Sequence, residues 1–142
     1  MITGRRFIQD TNAIVSLLKG NKSLVDCIEQ ADWIGISIIS QIEFLAFPDL
    51  SDDDVKLFEE FQHRIDIIDL THGEKHFISN IIDIRKSYKK IKLPDAIIIA
   101  AAIVNNCTLV TADKDLQKID EVDILSFEDE KSEPDEVETE DQ

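Results

Sequence analysis

Short runs rich in β-branched residues alternate with segments of helical apolar spacing along most of this chain, and that alternation leaves few folds open. Residues 6–10 read as a strand entering an Asp-Thr-Asn turn. A helix is expected over 13–19, with Ile14, Leu17 and Leu18 on one face; Gly20 ends it, and 22–30 read as another helix. The β-branched stretch 33–39 predicts a second strand, after which Ser40 caps a helix that carries Glu43 and stops before Pro48. Ser51 opens a further helix with Asp52, Asp53 and Asp54 in its first turn, where they suit the macrodipole. A third strand is expected over 65–70, then a long helix capped by Thr71 and running to about Tyr88. Pro94 fits the first turn of a helix over 95–105. Residues 107–111 and 122–125 complete five strands, with a helical turn at 114–118 between them. Strands joined by helical crossovers imply a three-layer α/β domain, a five-stranded parallel sheet covered by helices on both faces.

The longest apolar stretch, residues 96–104, is bounded by Asp95 and Asn105. It is far shorter than the roughly 20 residues that span a bilayer, so it reads as buried core. The first residues carry Arg5 and Arg6 but no apolar stretch of signal-peptide length, so a cytoplasmic protein with no membrane association is expected. Cys27 and Cys107 sit among apolar neighbours, as packed, reduced thiols do, although parity alone permits a disulfide. The formal net charge is −15. Residues 128–142 hold nine acidic residues and one lysine, which leaves −7 for residues 1–127. The chain therefore divides into a folded domain over 1–127 and an acidic tail over 128–142 that reads as disordered. That tail either solubilises the protein or competes with a polyanion for its basic residues.

Four acidic residues fall at one edge of the expected sheet. Asp10 ends the first strand, Asp113 lies just beyond the fourth, and Glu43 and Asp95 lie in first turns of helices that start from the same edge. Open parallel sheets bind ligands outside the carboxyl ends of their strands, where strand order reverses. Clustered carboxylates stay ionised together only with cations between them, and an all-oxygen set favours Mg²⁺, or Mn²⁺, over zinc. Each residue also has a plainer role. Asp10 and Asp113 can cap helices, Asp95 can answer a helix dipole, and Glu43 can be a solvated helix residue. The plain role suits Glu43 least, because Ile39, Ile42, Phe44 and Leu45 around it are apolar.

These segments resemble a known family. Phe7-Ile8-Gln9-Asp10-Thr11-Asn12-Ala13-Ile14-Val15 is similar to the opening of PIN-domain nucleases, and Ser37-Ile38-Ile39-Ser40-Gln41-Ile42-Glu43-Phe44 to their second acidic segment. Lys92-Leu93-Pro94-Asp95-Ala96-Ile97-Ile98-Ile99-Ala100-Ala101-Ala102 and Leu109-Val110-Thr111-Ala112-Asp113-Lys114-Asp115-Leu116 supply the third and fourth. The resemblance covers nearly all of residues 5–125 in order and is nearest to the VapC toxins of type II toxin–antitoxin systems. It implies a Mg²⁺-dependent endoribonuclease restrained by a cognate antitoxin protein and commonly homodimeric. Asp10 and Asp95 would be the principal metal ligands, completed by Glu43 and Asp113. Asn12 and Thr111 would hold the carboxylates by hydrogen bonds, with Asp115 beside them. Gln9 stands where the family usually has an apolar residue, and the acidic tail lies outside its pattern.

Arg85, Lys86, Tyr88, Lys89, Lys90 and Lys92 concentrate positive charge and one aromatic just before Asp95. They read as a patch that tracks RNA phosphates, with Tyr88 able to stack a base, or more plainly as a solvated helix end. His72 and His76 are spaced for zinc but lack the His-Glu-x-x-His base, since Gly73 follows His72, and they read as surface residues. His63 has no partner set, and Trp33 is expected in or beside the sheet. Two rival functions are a non-catalytic acidic module that recruits a basic protein, and phosphotransfer through Asp10. The second is disfavoured by Thr11 and Asn12, which stand where such sites place another carboxylate.

Overall fold

A computed structural model describes residues 5–73 and 76–128. The tail expected to be disordered therefore lies outside the described residues, apart from Glu128. Five strands form one wholly parallel sheet in the order β3-β2-β1-β4-β5. They are β1 (Arg6–Gln9), β2 (Trp33–Ser37), β3 (Asp66–Ile68), β4 (Thr108–Thr111) and β5 (Ile124–Ser126). The helices are α1 (Thr11–Leu18), α2 (Lys22–Glu29), α3 (Ile38–Leu45), α4 (Asp52–Gln62), α5 (Phe77–Ser87) and α6 (Leu93–Val104), with a 3₁₀ turn at Leu116–Lys118.

Side chains alternate across each strand, so the sheet feeds two cores. On one face Ile8 and Leu109 meet α5 and α6 through Ile81, Ile84, Ile98 and Ile99. On the other, Ile36 and Val110 meet α1, α2, α3 and α4 through Ile14, Leu24, Phe44 and Phe58. The apolar run of α6 is buried from Ala96 to Ala102, as its composition requires. No helix of the described residues is long and apolar enough to cross a membrane.

Trp33 lies half-buried beside the first core, with the Arg6 guanidinium 4.5 Å from its ring centroid and its Nε1 donating to Asp66 Oδ2 at 2.7 Å. Gly35 fits beneath it, since a Cβ there would clash with the indole. Cys27 and Cys107 are free thiols, and burial pushes the Cys107 thiol up to about 12.

Two expected boundaries move. The second strand ends at Ser37, whose hydroxyl accepts the Ile39 N–H and starts α3 three residues before Ser40 would. Thr71 caps no helix. Its hydroxyl donates to the Asp69 carbonyl, and α5 begins at Phe77 after His76 in a left-handed conformation (φ 72°).

Candidate active site

Strand order reverses around β1, which lies between β2 and β4, and the chain leaves β1 and β4 at the same carboxyl edge. Asp10 follows β1 directly. Its carboxylate caps α1, with Oδ1 accepting the Ala13 N–H at 2.8 Å, while Oδ2 accepts the Thr111 hydroxyl arriving from the end of β4. Asp113 sits two residues past β4, its backbone N–H donating to Thr111 Oγ1 at 3.0 Å. Its own Oδ1 accepts the N–H of Asp115 at 2.8 Å and that of Leu116 at 3.3 Å. Glu43 lies on α3, where the Thr11 hydroxyl donates to its Oε1 at 2.5 Å. Asp95 occupies the first turn of α6, and no hydrogen bond from the described residues reaches its carboxylate.

All four carboxylates line one cleft of about 390 Å³, together with Thr11, Asn12, Ala46 and Phe47. The electrostatics register the crowding. Burial raises the Asp10 carboxyl from 3.8 to about 6 against its Thr111 and Ala13 hydrogen bonds, with Asp95 and Asp113 adding to the rise. The Asp95 carboxyl also reaches about 6, through burial and then the charges of Asp113 and Glu43, while Lys92 pulls it down. No group of three or more His, Cys, Asp or Glu side chains among the described residues is arranged to hold a metal ion as it stands.

The flanking residues fall into different places. Asn12 lines the cleft but is exposed and makes no hydrogen bond to a carboxylate of the described residues; Thr11 supplies that contact instead. Thr11 Oγ1 in turn accepts from the hydroxyl of the fully buried Ser40 at 3.2 Å, a pairing hidden in the sequence because Ser40 looked like a helix cap. Asp115 reaches the site only through its backbone; its carboxylate turns to Lys118 at 3.8 Å. Of the basic run, Lys92 is close enough to act on Asp95. Lys89 and Lys90 line a neighbouring hollow of about 180 Å³ with Tyr88, Ile91, Asp115 and Lys118. Arg85 and Lys86 lie exposed in the last turn of α5. The Tyr88 hydroxyl is engaged, donating to Glu121 Oε1 at 2.7 Å and accepting the Asp120 N–H at 3.3 Å.

A family model described as the PIN domain matches residues 7–122, and the chain belongs to the PIN-domain family. No curated protein matches the sequence. Among solved structures, VapBC2 from Rickettsia felis, bound to a DNA fragment from its promoter, shares 21% identity with a TM-score of 0.74. That alignment covers 87% of this chain and 99% of the other. A toxin–antitoxin complex from Klebsiella pneumoniae shares 26% identity with a TM-score of 0.67, over 81% of this chain and 93% of that one. VapBC-1 from nontypeable Haemophilus influenzae shares 20% identity with a TM-score of 0.71, over 85% and 97%.

Proposed function

We propose that the chain is a metal-dependent endoribonuclease, the toxin of a type II toxin–antitoxin pair acting in the cytoplasm. The observation that carries this reading is the convergence of Asp10, Glu43, Asp95 and Asp113 on one cleft at the point where strand order reverses. A divalent cation fits the donor set. Every acidic side chain in the cleft offers hard oxygens, no His or Cys lines it, and burial with neighbouring carboxylates raises Asp10 and Asp95, a rise that a bound cation would offset. Asp10 and Asp95 would hold Mg²⁺, or Mn²⁺, with Glu43 and Asp113 completing the site directly or through water. Bound there, such an ion polarises a phosphodiester and eases deprotonation of water.

The protein's own contribution is orientation. Thr111 and the Ala13 N–H fix both oxygens of Asp10, Thr11 fixes Glu43, and the amides of Asp115 and Leu116 fix Asp113. Lys92 lies beside Asp95, and Lys89 and Lys90 stand nearby to attract a phosphate chain. An antitoxin partner is supported by the complexes to which the fold is similar. Its seat in this proposal is a groove of about 660 Å³ lined by Leu17 and Leu18 of α1, Val25 and Ile28 of α2 and Leu57 and Phe61 of α4, with Glu29, Asp32, Glu60 and Arg64 also lining it. Homodimer formation, as the family resemblance implies, is part of the same proposal. Total RNA is digested by the purified chain with Mg²⁺ and with EDTA, and the cut ends are mapped. Discrete ends that vanish with chelator are expected. RNA left intact under both conditions, with binding to a basic protein unaffected by EDTA, would return the cleft to a recruitment role.

A further inference from the structure

Tyr88 was the aromatic the sequence offered for stacking a base, yet its hydroxyl ties α5 to the Asp120–Glu121 loop. The aromatic that the fold brings to the carboxylates is Phe47, which lines their cleft and is 40% exposed. Its placement is fixed from two directions. Pro48 cannot continue α3, so the chain turns away immediately after Phe47, and the Leu50 N–H donates to the Phe47 carbonyl at 3.3 Å. Beneath it, Phe44 lies 5.7 Å away and tilted 56°. Phe44 in turn stacks at 4.4 Å on Phe58, which is fully buried. Phe47 is thus the outer end of an aromatic row rooted in the core, four residues beyond Glu43.

We propose that Phe47 is a base-stacking platform at the mouth of the cleft, holding one nucleobase of single-stranded RNA beside the phosphodiester to be cut. This rests on the reading of the cleft as a nuclease site. A part-exposed ring backed by Phe44 suits any base, because every base has a π-face, and stacking orders the strand without hydrogen-bond readout. Ile42 and Leu45 on α3 are also exposed, which would suit a protein surface, but neither lines the cleft as Phe47 does. The juxtaposition with four carboxylates favours the nucleotide.

The test uses the full chain with an oligouridylate carrying one 2-aminopurine, whose fluorescence is quenched on stacking. Ca²⁺ replaces Mg²⁺ so that binding is read apart from cleavage, and cleavage of total RNA is followed separately in Mg²⁺. Phe47→Leu keeps the apolar contact with Phe44 and removes the stacking face; Phe47→Trp keeps both. Wild type and Phe47→Trp should quench the probe. Phe47→Leu should bind about 10- to 100-fold more weakly, without quenching, at an unchanged unfolding temperature. Its cleavage should show a raised KM with kcat much less affected. If Phe47→Leu binds and cleaves as wild type does, the stacking proposal is overturned while the nuclease reading stands. If it instead loses only self-association or protein binding, Phe47 belongs to a protein-docking surface. A wild-type chain that neither binds the probe nor cleaves RNA removes the underlying reading and this inference with it.

Discussion

The Asp10 carboxylate caps α1 with one oxygen and takes the Thr111 hydroxyl with the other, so its plain and functional roles coexist in one side chain. The sequence revealed the first through Asp-Thr-Asn and the second through the convergence of acidic residues. It concealed Thr11 and Ser40, because a hydroxyl that reaches across 32 or 29 positions leaves no local pattern. Thr111→Val removes a contact that lowers the Asp10 pKa, so that carboxyl should rise above its present value of about 6. The acidic limb of the pH–rate profile should then move to higher pH and Mg²⁺ affinity should fall about 10- to 100-fold. A pH–rate profile and a Mg²⁺ titration check both, and an unmoved profile would show that Thr111 is not tuning Asp10. The wild-type carboxyls carry a second consequence. Asp10 and Asp95 bind protons more tightly in the folded chain than at the ordinary 3.8, so metal-free stability should fall as pH rises from about 4 to about 6. Above that window Mg²⁺ should raise the unfolding temperature, and below it the ion should do little. Unfolding scans with and without Mg²⁺ at about pH 3.5 and about pH 8, the two sides of that window, decide the matter.

At the scale of elements, all five strands and the helices that follow them were legible because period and turn residues agreed along most of the chain. The misplacements have local causes. Ile38 and Ile39 have strand-like side chains, but Ser37 caps the helix that holds them, and Ile39 packs on the first core from α3 regardless of propensity. The helix expected from Thr71 is delayed to Phe77 by a turn through Gly73 and a left-handed His76, a conformation that no cap signal announced. The last turn of α5 and the loop from it to α6 carry the basic run. Lys118 with Asp115 is the one ion pair among the described residues, so the exposed Lys89 and Lys90 have no such carboxylate partner there. Neutralising both to Gln should weaken RNA binding and reduce the salt dependence by a slope of about 0.7 per lost phosphate contact. Affinity measured across salt concentrations tests this; an unchanged slope would make the loop an ordinary solvated helix end.

For the whole molecule, the order β3-β2-β1-β4-β5 brings Asp10 and Asp113 to adjacent strand ends and lets α3 and α6 deliver Glu43 and Asp95 between the layers. The edge was inferable from the alternation of elements; the cleft's aromatic wall was not, since Phe47 depends on how α3 meets Phe58. The acidic tail stands apart from this frame. Phe127 packs on the second core and the Glu128 carbonyl accepts from Asn21 at 3.1 Å, so truncation after Glu128 should leave the unfolding temperature unchanged. A substantial drop would mean that the tail contributes to the fold. The claim on which the rest depends is that the carboxylate cleft itself cuts RNA. Asp95→Asn tests it most directly, because the amide keeps the shape of a side chain to which no hydrogen bond from the described residues is made. RNA cleavage and thermal unfolding are measured together at saturating Mg²⁺. The account predicts lost cleavage with the folded state intact, and cleavage retained at the wild-type rate would contradict it.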